Sequence, residues 1–299
     1  MQGFDYKLLA ALNAVIEQQS FELGAEKLCI SQPAVSQRIK SLEEKLGQPV
    51  VIRGQPLTVT PAGEKLLSHY KMVQQLESDL LPSLSSDAPS KPIKVSLAVN
   101  ADSIATWFID AMSPILKNNL VEMNLLIASG EHTLDKLRSG QAIGGVTNVQ
   151  KPLPGYHSFK LGEMNYILVA SKEFKNKYFS KGVSKASLKM APGITYDQKD
   201  NMHLHFIGKH FELDSSEYYC HRVSSSEAFV DLAKRGLAYC LIPQLQIENE
   251  LANDELINLC PQQQLIETLY WHSWILVKGV NKQISQEIVR YGRQVLQNE

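Results

Sequence analysis

The sequence predicts a winged helix-turn-helix unit, then one long helix, then an α/β half. Three observations carry this. Residues 21–45 read as a helix, a tight turn and a second helix whose apolar residues form a single stripe. Residues 61–84 keep a mostly apolar helical seam. From Ile93 to the C-terminus, short β-rich runs alternate with amphipathic stretches.

The elements follow in order. Tyr6, Leu8, Leu9, Leu12, Val15 and Ile16 form a first amphipathic helix. Leu23, Lys27 and Leu28 keep helical spacing in the next, where Ala25 is small enough to admit a neighbouring helix. Ser31 is placed to cap the following helix, with Gln32 and Pro33 in its first turn, where a missing N–H does no harm. Val35, Ile39, Leu42 and Leu46 recur at i, i+4, i+7 and i+11, one apolar stripe. At about 100° per residue the opposite side carries Pro33, Ser36, Gln37 and Lys40. Such side chains suit base edges and phosphates, and a helix pair of this kind fits the major groove of DNA. An ordinary amphipathic hairpin with a solvated polar face gives the same pattern. The surroundings favour the DNA reading. Val50-Val-Ile-Arg53 and Leu57-Thr-Val59, joined by Gly54-Gln-Pro56, read as two short strands, a wing with Arg53 near its tip and within reach of a phosphate.

Thr60 and Pro61 start the long helix, along which Leu66, Tyr70, Val73, Leu76, Leu80 and Leu84 trace the seam. The seam packs either on its own domain or on the same helix of another subunit. Ser83 to Pro92 is hinge-like by composition. Strands are then predicted at 93–99, 121–128, 143–146, 166–170, 193–196, 219–223, 238–242 and 269–277. Helices are predicted at 103–116, 133–138, 202–209, 227–234, 244–251 and 283–296. This is α/β, with an expected largely parallel sheet.

Hydrophobic content of 44% and charged content of 20% belong to a globular protein, and 299 residues suffice for two or three cores. Net charge is −1, so no global basic field announces nucleic acid. Residues 1–60 balance Lys7, Lys27, Arg38, Lys40, Lys45 and Arg53 against Asp5, Glu17, Glu22, Glu26, Glu43 and Glu44; dimerisation would double the phosphate contacts. Cys29, Cys220, Cys240 and Cys260 lie far apart with no metal spacing, and buried, reduced thiols are expected. No signal segment and no apolar run of the ~18 residues that suggest a membrane span are found, so a cytoplasmic protein without membrane contact is expected. His203, His205 and His210 share no helical face, and no nucleotide loop, metal set or catalytic constellation is present; no cofactor, metal or catalytic residue is expected.

Ser31-Gln-Pro-Ala-Val-Ser36, Leu42-Glu-Glu-Lys-Leu-Gly47 and Thr60-Pro-Ala-Gly63 resemble the N-terminal signature of LysR-type transcriptional regulators. Asn100-Ala-Asp-Ser103, Trp107, Ser225-Ser-Glu-Ala-Phe-Val230, Ile242-Pro-Gln-Leu-Gln-Ile-Glu248 and Tyr270-Trp-His272 extend the resemblance to one branch, the lysine/arginine-responsive regulators of basic amino-acid export, also described as inhibitors of chromosome initiation. One departure stands out. Family members often carry Arg-Gln where this chain has Gln37-Arg38, so the usual arginine contact does not transfer to position 37, and Arg38 falls near the margin of the stripe.

The resemblance implies an effector domain of periplasmic-binding-protein type with two hinged subdomains, about 92–164 with 268–299, and 165–267. The winged domain would span 1–60 and the linker helix with its hinge 61–91. DNA contacts are expected from Gln32, Pro33, Ser36, Gln37, Arg38, Lys40 and Arg53. In α/β sheets, ligands sit beyond strand C-termini, where helix N-termini present free N–H groups. Effector contacts are therefore expected from Asp102, Ser103, Ser129, Glu131, Thr147 and Asp197. Asp102 would meet the cation of a bound lysine or arginine, unless it or Ser103 merely caps a helix. Ser225 and Ser226 are expected as caps. The implied protein is a DNA-binding homodimer or dimer of dimers. The alternative is a cytoplasmic sensor whose winged helix pairs with another protein.

Overall fold

A computed structural model describes residues 3–84, 92–196 and 201–296. The expected hinge over 85–91 and the candidate Asp197 lie outside them. Local capping builds the N-terminal helices. Asp5 accepts from Lys7 N–H at the start of α1 (Tyr6–Gln18), Ser20 from Leu23 N–H at α2 (Phe21–Lys27), and Ser31 from Ala34 N–H at α3 (Gln32–Leu46). Leu9, Leu12, Val15, Ala25, Val35, Ile39 and Leu42 form one buried cluster. Ala25 is buried in this cluster, and its neighbour Gly24 makes a close approach to α1. A Cβ on Gly24 would lie 3.1 Å from the Val15 backbone, so glycine is what lets α2 cross α1.

Strands β1 (Val51–Ile52) and β2 (Thr58–Val59) pair antiparallel as the wing. Glu43 Oε1 accepts from Val50 N–H at 2.9 Å, and Gln19 Nε2 donates to the Leu57 carbonyl at 3.0 Å, so the wing is pinned to α3 and to the end of α1. Thr60 Oγ1 accepts from Gly63 N–H and caps α4 (Pro61–Leu84). Leu66 and Leu67 at its start are buried in the helical core, whereas Leu76 and Leu80 further along are 37% and 55% exposed.

The α/β half begins with β3 (Ile93–Val99), followed by α5 (Ala101–Ser103), a π-helical turn over Ile104–Phe108 and α6 (Ile109–Asn118), one continuous helical run. Then come β4 (Val121–Ile127), α7 (Glu131–Arg138), β5 (Gly144–Thr147) and the long β6 (Tyr156–Ala170). A second set follows: α8 (Lys172–Tyr178), α9 (Lys185–Met190), β7 (Gly193–Thr195), α10 (Asn201–Phe211), β8 (Cys220–Arg222), α11 (Ser226–Lys234), β9 (Cys240–Pro243), a 3-10 turn over Gln244–Gln246, α12 (Glu248–Ala252) and β10 (Ile257–Asn258). Strand β11 (Leu265–Trp274) returns to the first set, and α13 (Gly279–Val295) closes the chain. Helices α8 and α9 are absent from the sequence expectation; short polar runs held by Ser171 and Ser184 caps leave little periodicity.

The expected largely parallel sheet is not what forms. Among the described residues the main sheet runs β10-β6-β11-β5-β3-β4, with β9 also on β6. Strand β3 pairs parallel with β4 and β5, but β11 runs antiparallel to both β5 and β6, and β6 is antiparallel to β9 and β10. The sheet is mixed because β6 and β11 are long crossing strands shared by both sets of elements. Their register shifts between Leu269 and Tyr270. There Gly162 has φ +149°, and a Cβ on it would sit 1.9 Å from the Leu296 carbonyl, so only glycine fits beneath the chain end. Trp107, Phe108, Met112, Trp271, Ile284 and Ile288 join Phe174, Phe179, Phe206 and Tyr239 in one buried cluster reaching across both sets.

No disulfide forms among the cysteines. Cys240 and Cys260 are buried as expected, Cys220 is partly buried, and Cys29 is exposed, a correction to the sequence expectation. Cys29 lies in the turn before α3 at φ +53°. No helix among the described residues is long and apolar enough to cross a membrane, and no described His/Cys/Asp/Glu group is arranged to hold a metal.

Candidate functional sites

Two sites emerge, one on α3 and one where the two α/β sets meet. Helix α3 buries Val35, Ile39 and Leu42, which turns Gln32, Pro33, Gln37 and Lys40 into solvent and leaves Ser36 and Arg38 half-buried at the edge of the exposed face. Neighbouring turns on that face are linked in rows: Gln32 Nε2 donates to Ser36 Oγ at 3.2 Å, Gln37 Nε2 to Ser41 Oγ at 3.4 Å, and Lys40 pairs with Glu44 at 3.7 Å. These contacts are exposed and weak, so they orient the side chains without committing them. Arg53 is exposed on the wing, its guanidinium 5.5 Å from the centroid of the Phe21 ring at the start of α2. That stacking holds the cation beside the helix pair.

At the second site, β3 delivers Asn100, Ala101, Asp102 and Ser103 into the start of a helical run. Neither Asp102 nor Ser103 caps it. Asn100 occupies the cap position and makes no side-chain cap bond. The Asp102 carboxylate instead accepts from Tyr166 Oη–H at 2.8 Å and from Ser226 Oγ–H at 2.9 Å, so β3's end is joined to β6 and to the first turn of α11. Ser226 Oγ also lies 2.8 Å from Gln246 Oε1. One hydroxyl proton cannot serve two acceptors, and turning the Gln246 amide over lets its N–H donate to Ser226, which then donates to Asp102. Ser225 caps α11 by accepting from Ala228 N–H, as expected; the role of Ser226 is the correction. Ser103 is fully buried, and its Oγ has no hydrogen-bond partner.

The other strand-end candidates are placed differently. Thr147 is buried, donates to the Gly130 carbonyl at 3.0 Å and accepts from Val149 N–H at 3.2 Å, clamping the loops after β4 and β5. Ser129 and Glu131 are exposed on the loop and first turn leading into α7, with no hydrogen bond to Asp102 or Ser103. Tyr166, Ser226 and Gln246 were missed by sequence reasoning, whose only pointer was a second serine beside the capping Ser225. Burial on β11 holds the fully buried His272 imidazole below its ordinary pKa, with the backbone of Val149 opposing in part.

This pair of sites, a winged helix-turn-helix ahead of two α/β sets around a polar junction, belongs to a known family. The bacterial regulatory helix-turn-helix family of lysR type matches residues 6–64, and the LysR substrate binding domain matches residues 94–274. The chain belongs to the LysR family of DNA-binding transcriptional regulators, which are not enzymes. It is 50% identical over 297 residues to the HTH-type transcriptional regulator ArgP of Aeromonas salmonicida, covering 99% of each chain. Among solved structures it resembles ArgP from Mycobacterium tuberculosis, with TM-score 0.85 and 33% identity over 97% of this chain and 98% of that one. It also resembles full-length LysG from Corynebacterium glutamicum with bound effector Arg, with TM-score 0.79 and 27% identity over 97% of this chain and 99% of that one. The family decides for DNA over the protein-pairing alternative.

Proposed function

We propose that this regulator senses lysine or arginine, held between its two α/β sets, and acts from the cytoplasm as a homodimer or dimer of dimers. In this reading residues 1–60 are the DNA-binding domain and 61–91 the linker. Residues 92–299 form the effector domain, with one subdomain from about 92–164 and 268–299 and the other from 165–267. Gln32, Pro33, Ser36, Gln37 and Arg38 face base edges and the adjoining backbone, while Lys40 and Arg53 meet phosphates. The exposed Leu76 and Leu80 pair the linker helices of two subunits. That pairing fixes the spacing of half-sites.

The observation that carries the effector assignment is the Asp102 carboxylate, bonded to Tyr166 and Ser226 and adjacent in sequence to the unpartnered, buried Ser103 hydroxyl. An ionised carboxylate is the group that recognises an ammonium or guanidinium through charge-assisted hydrogen bonds. The effector's own carboxylate takes Ser103 Oγ and the N–H groups that open the helical run. Thr147, Ser129 and Glu131 are assigned to the approaches, and Asp197, outside the described residues, is kept as a candidate contact from its sequence position alone. A cation on Asp102 acts on the group that joins β3 to α11, so its binding differs between open and closed arrangements, the condition for any ligand-driven switch. The relative solved with bound effector Arg supports the same ligand class.

Titration calorimetry of the full chain with lysine and arginine, and with the uncharged norleucine and citrulline, tests this. The basic amino acids are expected to bind at least about tenfold tighter, a difference of about 1.4 kcal/mol. Equal affinity for the uncharged pair would remove the basis for the assignment.

A further inference from the structure

We propose that Cys220 is a peroxide-reactive thiol, with His203 as its proton acceptor and the Tyr239 hydroxyl as donor to the oxygen it gains. The cluster lies among β7, β8 and α10 and is unrelated to the contacts of Asp102. Cys220 opens β8, and its Sγ lies 3.7 Å from Nε2 of His203 on α10. His203 is 2% exposed and its ring stacks on Tyr239, with centroids 5.6 Å apart and planes 27° from parallel. The imidazole is thus held in one orientation. Tyr239 is fully buried, and its hydroxyl has no hydrogen-bond partner. That hydroxyl and the sulfur converge over Gly193: a Cβ there would lie 2.9 Å from Cys220 Sγ and 3.1 Å from Tyr239 Oη. The missing side chain of Gly193 leaves room for both above its Cα.

The remaining cysteines lack this setting. Cys240 and Cys260 are buried, and burial pushes their thiols up to about 12 and about 11. Cys29 is exposed in the turn before α3, away from the elements that carry His203 and Tyr239. The thiolate is the nucleophile, and an adjacent imidazole raises its population. The thiol proton passes to His203 Nε2, and the thiolate attacks one oxygen of hydrogen peroxide. The S–O bond forms as the O–O bond breaks, and the departing hydroxide recovers the proton from His203 as water. Sulfur is oxidised by two electrons and the peroxide reduced by two, leaving a sulfenic acid whose oxygen accepts from Tyr239 Oη–H.

The test treats the full chain with hydrogen peroxide and a sulfenic-acid-trapping diketone, and resolves each cysteine by peptide mass spectrometry. Cys220 is expected to label at least tenfold faster than Cys29, Cys240 or Cys260. His203→Gln should slow Cys220 about tenfold and move the pH profile of its rate. Tyr239→Phe should shorten the lifetime of the sulfenic acid before over-oxidation. The parent protein alone can refute the proposal: Cys29 labelling as fast as Cys220 overturns it. So does an unchanged Cys220 rate and pH profile in a folded His203→Gln variant.

Discussion

Replacing Asp102 with Asn separates charge from shape at the junction of the two α/β sets. The carboxylate accepts one hydroxyl on each oxygen, Tyr166 at 2.8 Å and Ser226 at 2.9 Å. An asparagine keeps one acceptor and offers N–H donors in place of the other. Either hydroxyl can rotate to accept, and with the Gln246 amide turned back Ser226 can send its proton to Gln246 Oε1. Both contacts therefore survive as neutral hydrogen bonds. A bond to a charged group contributes about 1.5–3 kcal/mol against about 0.5–1.5 for a neutral one, so the two bonds together should lower stability by about 2–3 kcal/mol. A bound lysine or arginine loses the charged partner that the proposal assigns to its cation, about 1.5–3 kcal/mol, or roughly 10- to 150-fold in affinity. Calorimetry on the full-length variant should show that loss for the basic amino acids. Ser226→Ala is the companion, since it removes one bridging bond and leaves the charge; its effect on affinity should be smaller. If Asp102→Asn binds lysine and arginine within about twofold of the parent while remaining folded, the charge-recognition argument fails.

On α3, Ser36→Ala and Gln37→Ala should leave the melting temperature unchanged and cost about 1–3 kcal/mol of operator affinity at fixed salt; unchanged affinity in both would exclude them as base readers. Lys40→Ala and Arg53→Ala should instead weaken operator and random DNA alike, and flatten the salt dependence in mobility-shift titrations. Leu80→Glu places a charge on a leucine that is 55% exposed in one chain, so it should reduce oligomer size in sedimentation and operator binding together, without lowering the melting temperature of the isolated chain. For pH, burial holds folded His272 below the value near 6.5 of an unfolded histidine. Its neutral form is the one the fold accepts, so its contribution is complete above about pH 6.5. That contribution is lost as pH falls through the depressed folded pKa, with a slope of at most about 1.4 kcal/mol per pH unit. Thermal melts between pH 7.5 and 5 should show this decline, and His272→Gln should make it shallower.

The N-terminal unit was legible because its determinants are local. Ser31 caps α3 from three residues away, the stripe of Val35, Ile39 and Leu42 is read at helical period, and the wing is a short hairpin. Strand direction in the main sheet was not legible in the same way. Whether β11 runs with or against β5 depends on the path of the chain through more than a hundred residues, and nothing within Leu265–Trp274 records it. The bulge hides more. The register shift at Leu269/Tyr270, opposite Gly162, breaks the alternation that would have revealed β6 as one strand of 15 residues, so only its last third was read.

The same distinction between local and distant determinants governs the junction. Asp102 and Ser103 follow a β-rich run and precede a helical one, which suffices to place them at a strand's C-terminal end. Their partners are another matter: Tyr166 is 64 residues away and Ser226 is 124. Within its own segment Tyr166 looks like one more apolar strand residue, and it is indeed 3% exposed; only the phenol oxygen reaches the carboxylate. Ser226 is the more instructive case. A helix start needs one capping hydroxyl, and Ser225 fills that role, so a second hydroxyl in the first turn has no local purpose. Because Ser226 is 3% exposed, its hydroxyl must be satisfied by something distant, and the acceptor it finds is the one carboxylate delivered by β3. A buried serine directly after a capping serine is thus a sequence-level reason to look for a remote polar partner.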